Sequence, residues 1–390
     1  MRSSAKGRES QANDRRNGGA GLVKFELLTR WQTWTPIIAL MLGVFGGVLP
    51  ETLGLVLVVS ALVVTVLAAV YHAEVIAERV GEPYGTLVLA VAVTIIEVAL
   101  IISLMLSTET PTPTIVRDTV FAAVMIIITG MVGLCMLAGA WQHGEQTFTR
   151  RGVSAALATL SALAVLTLVL PNFTVSASGG AYSPLQLAFV GFVSLVLYGA
   201  FVFVQTVRHR EYFLDEIHEK ILAENEAVVE SGAPVEHVER APLGVTFVLL
   251  VLALVAVVLL AKTLAPGLTE LAVVIGAPVA AAGVFIAAIV LLPESLAAFR
   301  AARANRLQTS MNLALGSALA SIGLTIPTLA VISIAMGWTL DLGLGNREIV
   351  LLFLSLLVCT QSFSTGRTTI LQGAVHLVIF AVYLFTTIVP

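Results

Sequence analysis

The stretch "GTLVLAVAVTIIEVALIISLMLS", Gly85 to Ser107, decides the fold class. It is apolar throughout except for a few hydroxyls and one charge, Glu97. At about 1.5 Å of rise per residue, a helix here carries Glu97 roughly 15–18 Å from either end, near the centre of a bilayer. A carboxylate at that depth costs at least roughly 2.5 kcal/mol on insertion scales, and such residues mark functional positions by default.

Similar runs recur along the 390 residues, of which 58% are hydrophobic and 12% charged. Soluble domains carry about 25% charged residues, so the composition excludes a soluble enzyme or binding module. The runs are near 20 residues and do not alternate, which predicts an all-α integral membrane protein and not a barrel. Eleven spans are expected, near 36–49, 52–71, 85–106, 119–140, 153–170, 185–207, 243–261, 272–299, 309–336, 349–361 and 370–389. Cys135 and Cys359 both lie inside apolar runs, so neither a disulfide framework nor a zinc site is expected. A polar tail of some 35 residues precedes the first run, with no cleavage pattern after it, so no cleavable leader is expected.

The connections sort by charge. With the N-terminus inside, the tail and alternate connections hold eighteen Lys and Arg, among them Arg79, Arg150, Arg151, Arg300, Arg303, Arg306 and Arg367. The outside connections hold three, Arg117, Lys262 and Arg347. That asymmetry predicts a cytoplasmic N-terminus and an external C-terminus.

The chain divides into a tail (1–35), an extra first span (36–50), a first membrane repeat (51–207), an acidic inside connection (208–242) and a second repeat (243–390). The connection holds nine carboxylates, from Glu211 to Glu239. Glu216 and Lys220, with Ile217, Ile221 and Leu222, suggest a short amphipathic helix within it. It reads either as a solvated linker or as a cytoplasmic cation sensor. "GEPYGTLVLAVAVTIIEVALI" from Gly81 can be laid beside "GAPVAAAGVFIAAIVLLPESLAAF" from Gly276. Each opens on Gly-x-Pro and carries one glutamate in its span, Glu97 and Glu294. Five spans separate the two, so the helices cross in opposite directions, as in transporters built from inverted repeats. Pro293 frees a backbone carbonyl one turn before Glu294.

At "HAEVIAERVGEPYGTLVLAVAVTIIEVALI" (His72–Ile101) the sequence resembles the bacterial calcium/proton antiporters of the cation/calcium exchanger superfamily, also credited with sodium and potassium exchange. "LLPESLAAFRAARANRLQTSMNLALGSALASIGLTIP" (Leu291–Pro327) and "FSTGRTTILQGAVHL" (Phe363–Leu377) carry the resemblance through the second half. It implies two inverted repeats, a bacterial inner-membrane location, and ion-binding glutamates at Glu97 and Glu294. The superfamily's Gly-Asn pair before each glutamate is replaced by Val93-Thr94 and Leu291-Leu292, and the glutamine of its Gly-Ser-Ser-x-Gln run by Ala320. Side-chain amides are therefore fewer than in the wider superfamily.

Two carboxylates in a low dielectric must be neutralised, by a divalent cation or by protons, before the pocket can be sealed from water. That competition suffices for antiport. Ca²⁺ is the expected cargo, with Na⁺ or K⁺ as the alternative and a cation channel as the alternative class. No hydrolase or metalloprotease motif is present, so an enzyme is not expected. Hydroxyls expected to complete the site are Thr94, Thr129, Ser317 and Ser321, unless they bond back to their own helices. His72 and Glu74 read as possible residues of the cytoplasmic mouth or as plain interfacial groups, and His376 as a helix-packing histidine. The expected partners are inorganic cations, protons and the lipid bilayer, with no nucleic acid and no cofactor. Oligomeric state is left open.

Overall fold

A computed structural model describes residues 31–45, 51–81, 84–106, 114–213, 242–274, 278 and 280–389. The acidic connection beyond Phe213, with its expected amphipathic helix, lies outside the described residues, as do the first thirty residues. The chain is helical: α1 (Trp31–Phe45), α2 (Glu51–Val80), α3 (Tyr84–Met105), α4 (Ile115–Met125), α5 (Val132–His143), α6 (Arg150–Ala164) and α7 (Pro184–Phe203) form the first part. The second part holds α8 (Leu243–Val274), α9 (Ala280–Val290), α10 (Leu292–Arg303), α11 (Leu307–Met336), α12 (Asn346–Ser364) and α13 (Ile370–Ile388). A π-helical turn over Ile126–Met131 joins α4 to α5 in one continuous span. Among the described residues nine helices are long and apolar enough to cross a membrane; α9 with α10 makes a broken tenth, and α1 is a shorter apolar helix.

Three boundaries differ from the sequence expectation. The span expected over 272–299 is not one helix: α8 continues to Val274, and α9 and α10 meet at a bend of 58°. Pro293, the second residue of α10, has no N–H for the carbonyl of Ile289, so the helix restarts after Leu291. The first span starts at Trp31, not 36, with Pro36 inside it. Pro36 leaves the carbonyl of Gln32 without its helical donor, and His72 Nε2 of α2 meets that carbonyl at 3.1 Å. A polar exchange that hydropathy does not score thus holds α1 on α2.

Lipid offers no hydrogen bonds to a backbone, so the many Val and Ile residues of α3 enter a helix despite their strand preference. Two starts are fixed by side chains: Ser183 with Gln186 and Thr369 with Gln372 form capping boxes at α7 and α13. These helices occupy the same place in the two halves. Loop pairing follows the same relation. β1 (Gln146–Thr147), between α5 and α6, pairs antiparallel with β2 (Arg367–Thr368), between α12 and α13. On the other face Ala181, before α7, bridges antiparallel to Asp341, before α12. The two pairings exchange under an inverted repeat, which is the architecture the halves share. The first face carries Arg150, Arg151, Arg303 and Arg367 and is called here the basic face.

Candidate functional site

Glu97 sits in the unbroken middle of α3 and is 4% exposed. Its partners come from α11 of the other half. Ser321 Oγ donates to Glu97 Oε1 at 2.5 Å, and Thr325 Oγ1 donates to Oε2 at 2.8 Å. Ser321 and Thr325 are one turn apart, so a single face of α11 grips both carboxylate oxygens.

Glu294 is placed differently. The break at Leu291 puts it in the first turn of α10, at the positive end of a half-helix inside the membrane. Its side chain is half-buried, and its Oε2 is buried with no hydrogen-bond partner. It borders a cavity of about 160 Å³ between α3, α7, α10 and α11, with Ser317, Asn312, Gln205 and Tyr198 on the walls. Gln205 ends the α7 span and Asn312 begins α11, so this cavity reaches the basic face. A second cavity, of about 340 Å³, lies between α3 and α11 and is lined by Thr94, Val98, Ile102 and Thr328.

Ser317, beside Glu294, is one turn from Ser321, which touches Glu97. The two carboxylates also lie within coulombic reach of each other, and Glu74 lies within reach of Glu294. The two acids therefore converge on α11 from helices of opposite halves.

The other expected site residues fall as follows. Thr94 donates to Ala90 O at 2.8 Å and Thr129, in the π turn, to Met125 O at 2.5 Å. Neither hydroxyl is bonded to a glutamate. His72 faces α1 and edges onto Tyr71; it does not line the cavity. Glu74 is exposed near the basic end of α2. His376 is buried, with Nδ1 on Ile128 O of the π turn at 2.8 Å and Nε2 at 3.2 Å from Ser362 Oγ. Thr325 and the wall residues Asn312 and Gln205 were missing from the sequence reading. The signal for Thr325 was present: Ser317, Ser321 and Thr325 form an i, i+4, i+8 hydroxyl stripe on α11.

A family model described as "Sodium/calcium exchanger protein" matches residues 50–207 and 245–389. The chain belongs to that family. The two matched segments are the two membrane halves, with the acidic connection between them. The chain is 48% identical over 365 residues to the y4hA protein of Sinorhizobium fredii (strain NBRC 101917 / NGR234), covering 92% of this chain and 96% of that one. It is 36% identical over 356 residues to the sodium-potassium/proton antiporter ChaA of Escherichia coli (strain K12), covering 90% and 94%. Selenium-substituted Ca²⁺/H⁺ antiporter protein YfkE superposes with a TM-score of 0.69 at 16% identity, over 93% of this chain and all of that one. The exchanger fold thus extends over the whole described membrane region, and the protein is a transporter of that class, not an enzyme.

Proposed function

We propose that this exchanger family member is a secondary antiporter that moves a cation against protons through one pocket, held by Glu97 and Glu294. The observation that supports this reading is the approach of two carboxylates, from oppositely running helices, to the hydroxyl face of α11. An empty pair of ionised carboxylates is costly to seal in a low dielectric. A bound divalent cation or two protons removes that cost, so only loaded forms cross between the faces. The cavity at Glu294 gives access from the basic face, and its closure together with an opening on the other side would expose the pair to the other face.

Ca²⁺ is the cargo that two carboxylates and several hydroxyls suit best, since it takes six to eight hard oxygens. Ser321 is bonded to Glu97 and Ser317 lines the cavity at Glu294; Thr94 and Thr129 join only if they turn from their own helices. A second reading, Na⁺ or K⁺ against protons, is favoured by the 36% identity to a sodium-potassium/proton antiporter. With the basic face cytoplasmic, the protein lies in the bacterial inner membrane, N-terminus inside and C-terminus outside. Glu74 then stands at the cytoplasmic mouth, and the 208–242 connection either links the halves or senses cations.

Inside-out vesicles carrying a pH gradient test this. Wild type should collapse the gradient when Ca²⁺, or on the second reading Na⁺ or K⁺, is added. Glu97→Gln and Glu294→Gln should each abolish that collapse. A variant that keeps full exchange removes its residue from the mechanism, and cation flux without proton counterflow replaces the antiporter with a channel.

A further inference from the structure

Several buried hydroxyls in these spans bond back to their own helix: Thr65, Thr94, Thr129, Thr167, Ser355 and Thr387 each donate to the carbonyl four residues back. Ser321 and Thr325 instead donate across to α3, one to each oxygen of Glu97. Ser321 was already expected among the hydroxyls of the site. Thr325, one turn beyond it and fully buried, was not.

We infer that Thr325 is a further cation ligand, the one that sets preference for a divalent over a monovalent cargo. The inference rests on the proposed Glu97–Glu294 site. A hydroxyl that donates its proton to a carboxylate keeps two lone pairs, and the donation polarises its oxygen toward a cation. Thr325 Oγ1 therefore stays bonded to Glu97 while offering an oxygen to the same ion. With Ser321 it raises the hard-oxygen count beside Glu97 from two to four. Glu294, whose Oε2 is buried and unpartnered, supplies the rest from α10. Ca²⁺ takes six to eight hard oxygens, and its double charge attracts each polarised oxygen more strongly than a monovalent ion does. The hydroxyl at 325 thus matters more to Ca²⁺ than to Na⁺ or K⁺.

The test compares Thr325→Val, Thr325→Ser and Thr325→Cys in the vesicle assay with Ca²⁺, Na⁺ and K⁺, beside Glu97→Gln. Thr325→Val, which keeps the shape and deletes the hydroxyl, should raise the KM for Ca²⁺ by about tenfold, the worth of one lost polar contact, with a smaller change for the monovalent ions. Thr325→Ser should restore most of the Ca²⁺ affinity. Thr325→Cys should make exchange sensitive to Cd²⁺ beyond the wild-type background, because a thiolate replaces a hard oxygen at the ion. A serine variant as weak as the valine variant shows that a hydroxyl at 325 does not restore the affinity, and overturns the inference. So does an unchanged KM with only a lower maximal rate, or a cysteine variant indifferent to Cd²⁺. If Glu97→Gln exchanges normally, the site itself is wrong; if Glu97→Gln is dead and Thr325→Val is normal, only Thr325 is.

Discussion

At the scale of residues the two acids are not equivalent. Glu97 has both oxygens engaged by hydroxyls, whereas Glu294 has an oxygen with no partner beside a cavity. Shortening Glu97 by one methylene keeps its charge and withdraws it from Ser321 and Thr325. Hydrogen bonds to a charged group are worth about 1.5–3 kcal/mol each, so Glu97→Asp should raise the cation KM by at least about tenfold. Gradient collapse at graded cation concentrations reads this, and an unaltered KM would show that the hydroxyl grip is incidental. Glu97 was legible in sequence because a single charge midway along an apolar run is too costly to persist without a role. Thr325 was not singled out, because a threonine in a membrane helix normally bonds to its own backbone, and only the approach of α3 distinguishes it. Thr94 illustrates the same limit from the other side: it shares a face with Glu97 by spacing, yet its proton goes to Ala90.

At the scale of elements, breaks and close crossings set where those residues stand. Pro293→Ala restores a donor for Ile289 and lets α9 and α10 run together, which moves Glu294 off the end of its half-helix. The expected result is lower exchange with a melting temperature unchanged or raised, since a proline inside a helix costs roughly 3 kcal/mol. Normal exchange in that variant would mean that the 58° bend is not needed. The proline itself could be read from sequence; the bend could not, because α1 holds Pro36 and continues through it. The crossing of α5 and α13 makes a second case. A Cβ on Gly373 would lie 2.5 Å from Leu137 N, and one on Gly133 would lie 2.8 Å from His376 Cβ. Neither position has room for a side chain, which lets the two helices cross closely. Gly373→Ala should destabilise the protein by about 1–3 kcal/mol, measurable as a lower thermal midpoint in detergent. The π turn beside this crossing left no mark in the sequence, since the residues Ile126–Met131 are ordinary helix formers in lipid.

At the scale of the molecule the inverted repeat explains why one pocket can serve two faces. The halves share little sequence, and their clearest common traces, the capping boxes at Ser183 and Thr369 and the two exchanged loop pairings, are a matter of hydrogen bonds more than of hydropathy. That is why eleven runs and a charge asymmetry could be counted from sequence, while the correspondence between halves rested there on a loose glutamate match. In the present conformation the two acids are not placed alike: Glu294 borders a cavity that Tyr198 also lines, whereas Glu97 does not line it. Ser317 is half-buried and lines the cavity at Glu294. A Ser317→Cys variant should therefore react with a membrane-impermeant thiol reagent in inside-out vesicles and not in right-side-out vesicles, if the basic face is cytoplasmic. The native Cys135 and Cys359 are buried and give a low background. Adding the transported cation should slow the reaction, because it occupies the neighbourhood of Glu294 and favours loaded, crossing forms. Labelling from the right-side-out preparation alone would reverse the assigned orientation, and labelling that ignores the cation would detach this cavity from the transport path.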